Sequence, residues 1–344
     1  MPVQMDDRDK RLLNLLQSDF PLSRRPYATL GERLQAGEEE ILARIGRLRE
    51  EKIIRQISAI FDTRSLGYKS SLVAMRADPA RVDEAAAMVN THPGVSHNYK
   101  RNHTFNIWFT IAIPPQKDLE ATIKRLHDLA RAESTRILPT LRLFKIGVNL
   151  DMTGESNPAA IEEPVYSDKK REGADPAALT PQEIQAIREL QEDLPLASAP
   201  FDPMAARMGI TPEGLFAIAT ELSRRGHLRR FAAVLHHRTA GFRANAMGVW
   251  KVPEGRTDEV GALMGSVRGV SHCYLRPTYP DWPYNIFTMV HGRTVQECEE
   301  ILGAISRTTG ITEFAQLYST KEYKKTRVRY FTDEYEAWER QYAA

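Results

Sequence analysis

Two short segments of this chain carry the same three chemistry-bearing side chains at the same spacing. Gly94-Val-Ser-His97-Asn-Tyr99-Lys100-Arg101 returns as Gly269-Val-Ser-His272-Cys-Tyr274-Leu-Arg276, and each is followed by an Asn-Ile pair, at Asn106-Ile107 and Asn285-Ile286. In an extended strand the side-chain period is two, so His97, Tyr99 and Arg101 share one face, as do His272, Tyr274 and Arg276. Such a face offers a proton donor that titrates near neutrality, a phenol and a fixed planar cation. A strand meant only for packing would alternate apolar residues on one face. Here the alternate positions Ser96, Asn98 and Lys100 are polar too, and the repetition makes an incidental surface histidine a poor explanation.

The two segments belong to a larger duplication. Ser18-Asp-Phe-Pro-Leu22 aligns with Glu192-Asp-Leu-Pro-Leu196 at an offset of 174, which also pairs Pro26 with Pro200, Ile57 with Phe231 and Gly67 with Gly241. The offset is 175 at His97/His272 and 179 at Asn106/Asn285, so the second copy carries extra residues in the hairpin after Arg276. His103 follows Arg101 by two, whereas Thr278 stands at the corresponding place after Arg276.

Each copy opens with helical patterns, seen first at 9–16, 29–34 and 39–48, and then a strand at 53–61. Helix, helix-turn-helix and strand is the plan of a winged DNA-binding module. There follow a strand at 70–75, a helix at 79–90, the hairpin at 95–113, a helix at 118–132 and a strand at 137–148. That order, β-α-β-β-α-β, is ferredoxin-like. The second copy repeats it at 246–252, 257–267, 270–291, 295–307 and 312–318. The expected fold class is therefore α+β, a tandem duplication in which each copy is a helix-turn-helix domain followed by a βαββαβ domain. Boundaries fall at 1–60, 61–150, a polar linker at 151–179, 180–234 and 235–344, the last with a tail beyond Lys321, Lys324, Lys325, Arg327 and Arg329.

Composition excludes several function classes. The net charge is +2 over 344 residues, so no global basic field exists to coat nucleic acid. The first candidate recognition helix opens on Glu38-Glu39-Glu40, and 37–52 holds five Glu against four Lys or Arg. Residues 211–227 hold two of each sign. Carboxylates at a helix N-terminus cap it but repel phosphate, so the helix-turn-helix reads as a scaffold without specific DNA binding. Two cysteines, Cys273 and Cys298, exclude a disulfide framework or a cysteine-rich metal cluster. A charged N-terminus and the lack of a long apolar run point to a cytoplasmic protein off the membrane.

A helix-turn-helix followed by βαββαβ resembles the Lrp/AsnC regulators. The motifs His97-Asn-Tyr-Lys-Arg-Asn-His103-Thr-Phe-Asn-Ile-Trp108 and His272-Cys-Tyr-Leu-Arg276, with Leu138-Pro-Thr-Leu-Arg142 and Tyr323-Lys-Lys325, narrow the resemblance to siroheme decarboxylases, an Lrp/AsnC-derived family in which two related subunits or a fused pair act together. The resemblance covers nearly the whole chain. It implies removal of the carboxyl groups of the C12 and C18 acetates of siroheme, giving 12,18-didecarboxysiroheme for haem d1 or alternative haem biosynthesis, with no cofactor beyond the substrate's own iron.

Loss of CO2 from an acetate leaves negative charge on carbon, and a positioned acid must protonate it. His97 and His103 are the first candidates, at the two ends of one hairpin arm, with His272 behind them and Tyr99 as a further donor. Arg101 and Arg276 suit the orientation of other carboxylates, because a guanidinium on the scissile group would stabilise the ground state. Lys100, Lys145, Lys325, Arg327 and Arg329 could balance remaining charge, and Tyr274, Trp108 and Trp282 could face the macrocycle, Trp282 from a stiff, exposed, Pro-rich loop. One dominant site in the first half, completed by the second, is expected. His92, His127, His227, His236, His237 and His291 lack a repeated context and read as structural. The fused copies form an internal pseudo-dimer, which permits a homodimer without requiring one.

Overall fold

The structure, a computed structural model, describes residues 5–147, 160–164, 166–168, 178–235 and 244–342. In chain order, copy one runs α1 (Asp7–Ser18), α2 (Pro26–Leu34), α3 (Glu38–Glu50), β1 (Ile54–Phe61), β2 (Lys69–Arg76), α4 (Val82–Asn90), β3 (Val95–Arg101), β4 (Ile107–Ile113), α5 (Leu119–Ala130), β5 (Ser134–Pro139) and β6 (Arg142–Ile146). Copy two runs α6 (Pro181–Leu190), α7 (Asp202–Arg207), α8 (Pro212–Arg224), β7 (Leu228–Leu235), β8 (Ala244–Trp250), α9 (Thr257–Ser266), β9 (Val270–Leu275), β10 (Ile286–Gly292), α10 (Val295–Thr309), β11 (Phe314–Lys325) and α11 (Glu334–Tyr342). The chain groups not by copy but by type: both helix-turn-helix segments form one compact unit, both βαββαβ segments the other.

Within the helix-turn-helix unit, local chemistry sets the helix starts. Asp6 and Asp9 make a reciprocal cap on α1, Thr180 and Glu183 do the same on α6, and Pro26 and Pro181 occupy first-turn positions where a missing N–H costs nothing. The strand after each module pairs with its counterpart, β1 antiparallel to β7, instead of forming a free wing. The repeated Asp-aromatic/Leu-Pro segments dock across that seam. Phe20 packs 5.2 Å from Phe231, and the Leu194 amide donates to the Ile57 carbonyl at 2.8 Å. Cations of α3 are consumed internally: Arg44 pairs with Asp6, Asp9 and Glu40, Arg47 with Asp9 and Glu51, and Arg49 with Asp193. In copy two Arg224 pairs with Glu221 and Arg225 with Glu183.

The βαββαβ unit is two five-stranded layers joined at their edges. One has the order β5-β2-β4-β3 and then the second half of β11; the other begins with the first half of β11 and continues β8-β10-β9-β6. Residues 314–318 of β11 pair with β8 of their own copy, and 319–325 pair with β3 of the other. Copy one makes the reciprocal exchange: β5 pairs with β2 and β6 with β9. The single strand expected at 137–148 is thus interrupted at Thr140–Leu141, directly after Pro139, whose missing N–H cannot continue a ladder. The strand expected at 312–318 continues through Lys325, using the basic run as sheet. Ile161 is bridged to Val267 of copy two, and the Tyr166 carbonyl accepts from the Ile146 amide of copy one.

Three apolar layers hold this unit together. Val73, Ile107, Phe109 and Ile111 meet α4, α5 and α11 on one outer face; Ala246, Trp250, Val270 and Ile286 meet α9 and α10 on the other. Between the sheets, Ala74, Trp108 and Leu138 meet Met247, Val249, Phe287 and Leu317. Gly94 allows β3 to begin tight against β4, since a Cβ there would sit 2.1 Å from the Ala112 carbonyl oxygen.

His92 is sealed in the first outer layer against Tyr335 and Trp338 of α11, its Nδ1 accepting from the Gly94 amide. Burial pulls its pKa from 6.5 down to about 3. Between those values the unfolded chain binds a proton at His92 and the folded chain does not, so stability falls as pH drops below 6.5, by up to about 1.4 kcal/mol per unit. Acidification from pH 7 to 5 is expected to lower the melting temperature less in His92→Phe than in the parent. Equal slopes would contradict this.

Candidate active site

Both His-Tyr-Arg triplets face the opposite sheet, the first wholly within β3 and the second on β9 with Arg276 one residue beyond its end. In β3, His97 stands opposite Thr110 and Tyr99 opposite Trp108, which belongs to the core between the sheets. In β9, Tyr274 stands opposite Phe287 and His272 opposite Met289, again on that face. The intervening Asn98 and Cys273 turn the other way, toward α4 and α9: Asn98 donates to the Ala86 carbonyl, and the Cys273 thiol to Gly261. The geometry of the two ladders is close. His and Tyr ring centroids are 6.2 Å apart in the first and 6.0 Å in the second, and each guanidinium lies over the neighbouring tyrosine, at 5.7 Å and 4.6 Å.

The arginines occupy the deep end of each ladder. Arg101 is 5% exposed and Arg276 7%. Each reaches the exchanged strand of the other copy: Arg101 Nη1 donates to the Leu317 carbonyl at 2.8 Å, and Arg276 Nη1 donates to the Leu138 carbonyl. Leu138 and Leu317 are themselves equivalent, at the offset of 179. Among the described residues neither arginine pairs with a carboxylate, and the Nε of each is buried without a partner. Burial lowers both to about 10, so both stay cationic at neutral pH. Desolvating a charge with no counter-ion costs several kcal/mol, and such an expense is characteristic of binding sites for anions.

The strands that complete the ladders differ. Beside the first, β11 places Lys325 opposite His97 and Glu322 opposite Tyr99; beside the second, β6 places Ile146 opposite His272 and Leu143 opposite Tyr274. The ladders lie on separate sheets, with β11, β8 and β10 intervening in hydrogen-bonded order. Each ladder is thus bordered by a strand of the other copy, the first by β11 and the second by β6.

Several other expected residues lie elsewhere. Lys100 faces the α4 side opposite Ile107, near Asp83. Lys145 is buried against Glu162 and the Val267 carbonyl, and Arg329 pairs with Glu334. Arg327 lies two residues past the end of β11, half-buried. Trp108 and Trp282 are each 1% exposed and pack on one another in the core, ring centroids 5.1 Å apart. The loop around Trp282 is folded inward by a tight turn at Tyr279–Trp282 and by the Tyr279 hydroxyl donating to the Ile137 carbonyl, so neither tryptophan presents a plate. His103 is separated from His97. It sits beyond the end of β3 between Phe105 and Trp282, its Nδ1 accepting from the Phe105 amide, and burial lowers its pKa. His97 instead meets Ser96 and Thr110. His291, read as structural, joins the second ladder through Ser271; its alternation with Phe287 and Met289 along β10 was the available signal. His236 and His237 lie outside the described residues.

A family model for the AsnC-like ligand-binding domain matches residues 65–145 and 239–324, and one for the siroheme decarboxylase NirDL-like helix-turn-helix domain matches 9–55 and 183–229. The chain is 39% identical over 335 residues to a siroheme decarboxylase from Hydrogenobacter thermophilus, covering 97% of this chain and 98% of that protein. This chain belongs to the siroheme decarboxylase family. Among solved structures it is similar to the siroheme decarboxylase NirDL, with a TM-score of 0.75, 35% identity and 98% of each chain covered. It is also similar to NirDL in co-complex with an iron-uroporphyrin III analogue, with a TM-score of 0.73 and 34% identity over 98% of this chain and 99% of that one. Both domain types occur twice in this chain. Among the described residues, no helix is long and apolar enough to cross a membrane.

Proposed function

We propose that this chain decarboxylates siroheme at the C12 and C18 acetates, giving 12,18-didecarboxysiroheme, and that it does so in the cytoplasm with no cofactor beyond the substrate's iron. One observation carries the assignment of the site: two buried guanidinium groups without carboxylate partners among the described residues, each in line with a tyrosine and a histidine. Their natural counter-ions are carboxylates of the tetrapyrrole.

The strand's rise supports a division of roles. His97 and Arg101 are four residues apart, about 13 Å, as are His272 and Arg276, so one carboxylate cannot meet both groups. The arginine grips a carboxylate that stays, and the histidine faces the acetate that loses its carboxyl group. When the acetate's C–C bond breaks, CO2 departs and the bonding pair remains on the methylene carbon, which takes a proton from the imidazolium to become methyl. Tyr99 and Tyr274, between the two groups, can donate to the macrocycle's periphery, and Lys325 beside His97 adds charge for a further carboxylate. His103, whose Nδ1 accepts from the Phe105 amide and whose pKa is lowered by burial, supports the aromatic core instead of the chemistry.

Anaerobic incubation with siroheme, followed by mass analysis, tests the function: loss of two CO2 is expected, and an unaltered pigment would contradict it. A regulator built on the same fold would need free cations on α3, and the pairing of Arg44, Arg47 and Arg49 disfavours that reading. No salt-sensitive shift of promoter DNA is expected at low salt; a specific shift would revive the regulator.

A further inference from the structure

The serine that precedes the second ladder has three partners. Ser271 Oγ lies 2.9 Å from His272 Nδ1, 3.0 Å from His291 Nε2 and 3.1 Å from the Met289 carbonyl oxygen. A hydroxyl has one proton and two acceptor sites. The carbonyl can only accept, so it takes the proton, and both ring nitrogens must then donate. The inventory of the Ser271 hydroxyl closes with His272 carrying a proton on Nδ1 and His291 on Nε2.

The first ladder has no such closure. Ser96 Oγ meets His97 Nδ1 at 3.0 Å and Thr110 Oγ1 at 2.8 Å, and Thr110 Oγ1 lies 3.5 Å from the same nitrogen. Two hydroxyls, each able to give or accept, satisfy that nitrogen with or without a proton. The second copy has Met289 where the first has Thr110, and His291 where the first has Ala112.

We propose that His291 is a positioning residue: its Nε2–H fills the second acceptor site of Ser271 and keeps the hydroxyl's proton on the Met289 carbonyl, which holds His272 as the Nδ1–H tautomer, so that His272 exchanges its catalytic proton through Nε2. The step balances. The imidazolium gives the Nε2 proton to the carbon that has kept the electron pair after CO2 leaves, and the ring returns to the neutral Nδ1–H form already held by Ser271. This rests on His272 being the proton donor proposed above.

Two readouts separate the inference from that reading. In the full-length chain labelled with [15N]histidine and free of substrate, long-range proton–nitrogen spectra are expected to show His272 as Nδ1–H, and Ser271→Ala is expected to mix the tautomers. An Nε2–H signal in the parent chain overturns the positioning role whatever the activity. In single-turnover assays His291→Phe is expected to slow decarboxylation roughly ten- to hundredfold with the siroheme dissociation constant unchanged. His291→Gln, whose amide N–H can replace the bond to Ser271, is expected to recover most of that loss. Equal rates for the two variants overturn the proposal. Full activity in His272→Ala overturns the reading beneath it.

Discussion

Replacing Arg101 or Arg276 with methionine is expected to leave the melting temperature unchanged or raise it, while weakening siroheme binding at least ~30-fold, equivalent to about 2 kcal/mol. The two effects have opposite signs because of where the charges sit. Each guanidinium is buried, bonded to one leucine carbonyl and unpaired with any carboxylate among the described residues. In the empty protein the desolvation cost is not recovered, and an apolar side chain of similar length removes it. In the complex the same cation neutralises a carboxylate in a low-dielectric setting and donates a planar fork to it, so its loss falls on binding. Thermal melts and absorption titrations of the two variants decide the matter. A melting temperature several degrees lower, with siroheme affinity retained, would make these arginines structural.

His97→Ala and His272→Ala are expected to show the complementary pattern: siroheme still binds, and turnover falls by ~10²-fold or more, the usual worth of a positioned proton donor. The arginines, about 13 Å along the strand, continue to hold the pigment. Single-turnover assays with mass analysis of the pigment read this directly. Unchanged turnover in both variants would remove the histidines from the mechanism. His103→Ala is expected to cost stability rather than turnover, because its ring fills the space between Phe105 and Trp282.

What could be read in the sequence was what repeats or alternates. The His-Tyr-Arg triplet gave its own face because a strand has period two, and its recurrence gave the duplication. What could not be read depends on the other copy. Nothing in residues 134–146 or 314–325 says that each strand serves two sheets, since the pairing that decides it is made across the duplication. The partners of Arg101 and Arg276 are backbone carbonyls, which have no residue-type signature. Trp282 was misplaced for a related reason: Pro, Asp and Tyr around it signal an exposed loop, yet a turn folds the ring onto Trp108 and Phe287. His103 follows the ladder's spacing in sequence, but β3 ends at Arg101 and the period ends with it.

A crystal structure of the chain with bound siroheme, grown anaerobically, would test the role of the ladders most directly. The expected result is a tetrapyrrole carboxylate within hydrogen-bond distance of the Arg101 or Arg276 guanidinium, with an acetate arm facing the histidine of the same ladder. A pigment bound with no carboxylate on either arginine and no acetate near His97 or His272 would contradict it.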